Sequence, residues 1–145
     1  MLNLNVQLAD VDTSMPRLAS GDQAIRIDSL EVVESKKTPG NFNLMTIFST
    51  TEPAASTRGD VINPGYKLRR YYPLQQSETE GAPDFKRDLA VLIDAAMGTN
   101  QSDRPELNDE TARLLIGRVV SARIKVSEDE VYGESNDIGM LKYIG

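Results

Sequence analysis

The sequence contains no cysteine, no histidine and no tryptophan, and only eight Tyr and Phe residues among 145. Without His or Cys there is no Ser-His-Asp or Cys-His nucleophile system, no thiol redox chemistry and no ordinary zinc site. No apolar run approaches the roughly 20 residues that span a bilayer. Residues 1–10 lack the basic and long apolar regions of a secretory signal. Carboxylates, Lys, Tyr and hydroxyls remain available for chemistry, and the expectation is a soluble, intracellular (cytoplasmic) protein without membrane contact, cofactor or metal. What is present suffices for one domain, since a chain of this length buries about 70% of its unfolded surface without disulfides or metal.

Sixteen Lys and Arg stand against 22 Asp and Glu, a net charge of -6. The surplus is local. Residues 1–76 carry eight basic and eight acidic side chains and residues 113–145 carry five of each, whereas residues 77–112 hold nine acidic and three basic ones. A net-acidic chain can thus present a basic surface, because local field governs phosphate contact.

Residues 1–20 read as an amino-terminal arm: Leu2, Leu4 and Val6 alternate with Asn3, Asn5 and Gln7, and a turn-rich linker runs from Asp10 to Pro16. Residues 21–145 form the domain. Ile25 and Ile27 share one strand parity and Leu30 and Val32 the other, so the phase slips at Asp28-Ser29, which predicts a bulge that bends the strand. Residues 35–41 are a turn by composition, and residues 42–50 a second strand. Residues 51–64 read as a long surface loop.

A third strand is expected over residues 66–74. Alternation sends Tyr66, Leu68, Arg70, Tyr72 and Leu74 to one face and Lys67, Arg69 and Tyr71 to the other. Arg70 falls on the apolar side, where it either reaches past the end of a barrel or marks a second bulge. Phe85, Leu89, Leu92, Ile93 and Ala96 form one helical stripe ending before Gly98. A shorter helix begins at Asn108, with Asp109 and Glu110 in its first turn and Gly117 as its stop. Val120, Ala122, Ile124 and Val126 alternate with Ser121, Arg123 and Lys125 as a fourth strand. After a turn at 127–133 comes a last strand over 137–144, weakened by Gly139.

The order is three strands, a helical pair and two strands. It matches the OB fold, a five-stranded, partly open β-barrel that holds oligonucleotides on its second and third strands and adjoining loops. Residues 25–36 (Ile-Arg-Ile-Asp-Ser-Leu-Glu-Val-Val-Glu-Ser-Lys), the Gly40-Asn41 turn, the strand 44–48 (Leu-Met-Thr-Ile-Phe), the helix 85–97 and residues 114–126 (Leu-Leu-Ile-Gly-Arg-Val-Val-Ser-Ala-Arg-Ile-Lys-Val) are the pieces that carry a likeness. In these, residues 25–145 resemble the phage-encoded single-stranded DNA-binding proteins whose OB domain is akin to those of replication protein A. The resemblance implies a mainly β fold, a non-enzymatic role coating single-stranded DNA in phage replication or recombination within the host cytoplasm, and replication or recombination proteins as further partners. The better-known bacterial single-stranded DNA-binding proteins end in an acidic recruiting tail. Here the last residues are Lys142-Tyr143-Ile144-Gly145, so recruitment by such a tail is not expected.

Single-strand binding needs a cationic groove for phosphates and aromatic faces for bases. With Leu68 and Leu74 facing the core, Lys67, Arg69 and Tyr71 form an outward row about 6 to 7 Å apart, near the reach of one nucleotide. Lys36 and Lys37 in the first turn and Phe42 at the entry to the second strand would adjoin it, with Arg123 and Lys125 outward on the fourth strand. The plainer alternatives are a solvated strand face for the cations and a barrel-end plug for Phe42. Glu34-Ser35-Lys36 matches half of a metal-dependent nuclease motif, but Pro83-Asp84 follows it where the motif requires the Asp first. Glu128-Asp129-Glu130 lacks the spaced ligands and Gly of a calcium loop. The competing class is an OB-like or small β-barrel adaptor that binds protein through the same face. The arm is also expected to support self-association.

Overall fold

The computed structural model describes residues 4–9, 16–130 and 133–145. The fold is mainly β: the described residues form seven strands and two helices, in which five strands make one antiparallel sheet. These five are β1 (Gly21–Glu34), β2 (Phe42–Thr50), β5 (Lys67–Pro73), β6 (Val119–Asp129) and β7 (Gly133–Tyr143), in the spatial order β5-β2-β1-β6-β7. The expected bulge is present. β1 shifts register against β2 between Ile27 and Ser29, so the buried side chains change from Ile25 and Ile27 before it to Leu30, packed on the core, after it. One extra residue reverses the faces and lets β1 pair with β6 through its first half and β2 through its second.

Period-two patterning sets the core. Leu44, Thr46 and Phe48 of β2, Leu68 and Tyr72 of β5, and Val120, Ala122 and Ile124 of β6 all point inward and are buried. The helix α1 (Lys86–Met97) covers them with Leu89, Leu92, Ile93 and Ala96, the stripe expected from its sequence. It ends where Gly98 turns left-handed at φ 70° and its N–H binds the Asp94 carbonyl at 2.8 Å. A Cβ on Gly98 would also sit 2.7 Å from the Tyr143 ring, so glycine serves both the cap and the docking of β7. The second helix, α2 (Asp109–Leu115), starts at Asn108, whose side chain accepts the Thr111 N–H at 2.9 Å. Its Leu115 is fully buried while Leu114 is half-exposed. Two residues on, the Gly117 N–H donates to the Ile27 carbonyl at 2.7 Å and joins the helix end to β1.

Two expectations, for residues 51–64 and 127–133, need correction. The 51–64 segment is not a plain loop: it contains β3 (Ala54–Ala55) paired with β4 (Val61–Ile62), and Ser56 bridges to Leu18, which is buried in the core. Two-residue strands carry no periodicity to read. The arm 1–20 lies partly outside the described residues, and its final part, at Arg17 to Ala19, is hydrogen-bonded to Ala55 and Thr57. The turn drawn at 127–133 is shorter, because β6 continues to Asp129 and β7 begins at Gly133. This outer hairpin extends beyond the core and has no apolar alternation. Residues 131 and 132 lie outside the described residues.

Arg70 is neither a second bulge nor a barrel-end overhang. The β2–β5 register runs unbroken past it. Its guanidinium reaches sideways from β5 to β7, where Nη1 donates to the carbonyls of Ile138 (3.3 Å) and Gly139 (3.1 Å). It also lies 4.7 Å over the Tyr72 ring and pairs with Asp88 of α1 at 3.4 Å. Gly139 and Met140 together oppose Arg123 in the β6–β7 ladder, a bulge at the carbonyls that Arg70 binds. A Cβ at Gly139 would meet the Arg123 carbonyl at 3.1 Å, which explains a glycine mid-strand. Burial pushes the Tyr72 phenol up to about 12, against the opposing pull of Arg70, so the ring stays neutral beneath the cation. Further along the seam, Asn136 binds Leu18 in both directions at 2.9 Å, and the Tyr66 hydroxyl donates to Asn136 Oδ1 at 3.3 Å.

Arg70→Met keeps the stem and removes the charge-assisted bonds to part-buried carbonyls; it should lower unfolding free energy by about 2 kcal/mol in urea titration. The helical connection is tied by Arg104, which donates to both carboxylate oxygens of Asp94 at 3.0 and 2.6 Å. That guanidinium, with the Thr99 hydroxyl and against a smaller effect of burial, holds the Asp94 carboxyl below its ordinary value of 3.8. A depressed folded-state pKa contributes stability above the unfolded value that is lost as pH falls through the folded one. Asp94→Asn should therefore be less stable than the parent by about 1 kcal/mol at pH 7. The difference should shrink as pH falls below 3.8, measured by urea unfolding across pH.

Candidate nucleic-acid interface

The outward face of β5, β2 and β1 is built by register. Arg69 lies beside Ile47 and then Ser29, Tyr71 beside Met45 and then Glu31, and Lys67 beside Ser49 and then Arg26. Lys67, Arg69 and Tyr71 are all exposed, as their parity requires, while Leu68 and Tyr72 between them are buried. The Tyr71 ring is 49% exposed and rests beside Met45, Val33 and Asn43 in a shallow groove of about 570 Å³ that Lys36 and Lys37 also line. The turn carrying those lysines is shaped by Asn41 N–H to the Thr38 carbonyl (3.1 Å), Ser35 N–H to the Asn41 carbonyl (2.8 Å) and Gly40 N–H to Glu34 (3.0 Å). The structure thus brings Lys36, Lys37 and Tyr71 together. A second groove of about 790 Å³ continues past Lys67 and Arg69, with Ile47 and Ser29 as its floor and Arg17 at its far wall.

Asp28 organises the cationic end. As the bulge residue it sits between strands, and it accepts from Lys67 Nζ (2.6 Å), Ser49 Oγ (3.0 Å) and Arg26 Nε (3.1 Å). Burial alone would raise its pKa, but the three donors together outweigh that and hold the carboxyl below the usual range. Arg69 has no partner among the described residues and stays available to an incoming anion. Arg17 is anchored through Nε to the Glu134 carbonyl at 3.0 Å, which holds its guanidinium at the groove.

Three candidates do not join this face. Phe42 shares the inward parity of Leu44 on β2 and is half-exposed beyond the end of the core, so it lies on the opposite side of the strand from Met45. Arg123 does point outward on β6, but β1 and β2 separate it from β5, and its nearest carboxylate is Asp22 at 3.5 Å. Lys125 lies at the β5–β7 seam, lining a pocket with Arg70, Arg87 and Asp88. Alternation gave each a strand face; it does not give the order of strands around the sheet. Conversely, Arg17, Arg26, Asp28 and Met45 were not singled out. For Met45 the signal was available, since it shares the odd parity of Ile47 on β2; for Arg17, just past the turn-rich 10–16 stretch, there was none.

The chemistry offered is that of a binding surface: cations at intervals, one open ring, and half-buried apolar floor. Among the described residues no three acidic side chains gather as a metal site, and no helix is long and apolar enough to cross a membrane. No protein-family model matches the chain, and no curated protein matches its sequence.

Asp28→Asn removes the carboxylate that neutralises Lys67 and Arg26 while keeping a hydrogen-bonding side chain of the same size. It should tighten association with a polyanion such as a dT oligomer by about threefold to tenfold at low salt, with a steeper salt dependence, as read by fluorescence anisotropy. A weaker or unchanged affinity would show that Lys67 and Arg26 do not meet the anion.

Proposed function

We propose that this chain is a non-enzymatic single-stranded DNA-binding protein with little sequence preference, and that its sheet is an OB-type, partly open barrel. The observation that carries the proposal is the exposed row Lys67, Arg69, Tyr71 on one strand, framed by Lys36 and Lys37 at one end and Arg17 at the other. Phosphates would follow the cations while bases stack on Tyr71 and cover Met45 and Ile47; a stacked base contributes about 1 to 3 kcal/mol and needs no particular sequence. The strand order β5-β2-β1-β6-β7, with both helices entering between β5 and β6, supports the barrel, as does the approach of the two outer strands through Arg70. The likeness of residues 25–145 to phage-encoded single-stranded DNA-binding proteins supports phage replication or recombination as the setting. Most of the acidic side chains of 77–112 belong to the segment that carries α1 and α2, where Asp88 and Asp94 pair with Arg70 and Arg104, while Glu78 shares a cavity with Lys37 beside the β1–β2 turn; the net charge of -6 therefore does not by itself oppose binding.

If about four phosphates are neutralised, log K should fall against log salt with a slope near -3, about 50-fold between 50 and 200 mM. Lys67→Ala, Arg69→Ala and Tyr71→Ala combined should leave the fold intact by circular dichroism, with only a small loss of stability from the broken Lys67–Asp28 pair, and weaken binding of a dT oligomer by about 100-fold, from one lost stack and two lost phosphate contacts. Affinity that ignores both salt and the triple substitution would exclude this surface. A double-stranded oligomer bound equally well would exclude the single-strand preference.

A further inference from the structure

The segment before the folded unit has the pattern of a half-buried strand and nothing beneath it. Leu4, Val6 and Leu8 alternate with Asn5 and Gln7, and their side chains are 90%, 71% and 67% exposed. Three apolar side chains on one parity within five residues normally mark a strand with one covered face. No charged residue interrupts residues 4–9.

β1 presents the counterpart. Residues 29–34 pair with β2 on one side. On the other side β6 stops at the Arg26–Val119 pair, and the chain leaves toward α2 after Gly117 and Arg118 have bonded Ile27. From Ser29 to Glu34 that edge has no strand partner among the described residues. Folded proteins usually blunt such an edge with Lys, Pro or a covering element. Here it reads Ser-Leu-Glu-Val-Val-Glu, with Val32 60% exposed and the half-exposed Ile116 beside its start. Six residues of open edge match a six-residue uncharged segment in length, and a neutral segment would approach Glu31 and Glu34 without repulsion.

We propose that residues 4–8 of one copy add as a strand to the open 29–34 edge of β1 in a second copy, giving a reciprocal dimer. Both halves of the contact exist in a single chain and remain unpaired there; a second copy gives each a partner, and the exchange closes on itself. The contact uses no residue of the Lys67–Tyr71 row, so it stands whether or not that face binds DNA.

The test is sedimentation equilibrium of the full chain, without DNA, across a series reaching sub-millimolar concentration. The parent should approach twice its 16.0 kDa mass. The triple variant Leu4→Glu, Val6→Glu, Leu8→Glu changes only exposed side chains and should sediment at half the parent's limiting mass. Val32→Asp alters the edge and should do the same; mixed, the two variants should recover a dimer, because one still has the edge and the other the arm. A parent that stays at 16.0 kDa, or an arm variant that still dimerises, overturns the proposal. So does concentration-independent protection of the 29–34 amides in a monomer, which would mean that the chain's own arm covers them.

Discussion

The arrangement depends on one side chain crossing a gap. β5 and β7 are the outer strands of a five-stranded sheet that share no backbone ladder, and Arg70 spans them by donating to the Ile138 and Gly139 carbonyls. The same guanidinium lies on the Tyr72 ring and meets Asp88 on α1, so sheet edge, core aromatic and helix converge on it. Its position follows from both strands. β5 keeps strict alternation, which puts Arg70 on the inward side, and the Gly139–Met140 bulge turns carbonyls of β7 toward it. Because β5 is held from its inner side, Lys67, Arg69 and Tyr71 are fixed on the outer one.

Curvature and charge are coupled at the other irregularity. The bulge that bends β1 places Asp28 where it gathers Lys67, Ser49 and Arg26, so the residue that spoils the strand's periodicity also orders the cationic end of the groove. A carboxylate there lowers the field that an approaching polyanion meets at Lys67 but fixes where that lysine stands. Arg69 and the turn lysines carry their charge with no such partner among the described residues, so the surface combines a held cation with available ones.

Local patterns in the sequence were enough for the elements whose side chains repeat: the alternation of residues 67–73, the stripe of α1, the slip at Asp28 and the Asn108 cap. They were not enough where a partner is remote or is backbone. Arg70 bonds carbonyls 68 and 69 positions away, and no side-chain pattern announces that. The β3–β4 hairpin is too short to show a period, and nothing local marks Leu18, at the end of the arm, as the core residue that bridges to Ser56. For the candidate site, parity identified the row on β5 and the turn lysines beside it. Sheet order, which parity does not give, separates Arg123 from β5 by β1 and β2 and brings Lys125 to the seam beside Arg70 instead of to the row.

Single-stranded DNA is proposed to lie on the outward face of β5 and β2, reached from the β1–β2 turn. Titrating an isotope-labelled chain with a dT oligomer and following backbone amide shifts tests it residue by residue. The account predicts the largest changes at Lys37, Met45, Ile47, Arg69 and Tyr71, with α1 and α2 unmoved. Changes centred on the helices, or none at saturating oligomer, would contradict it.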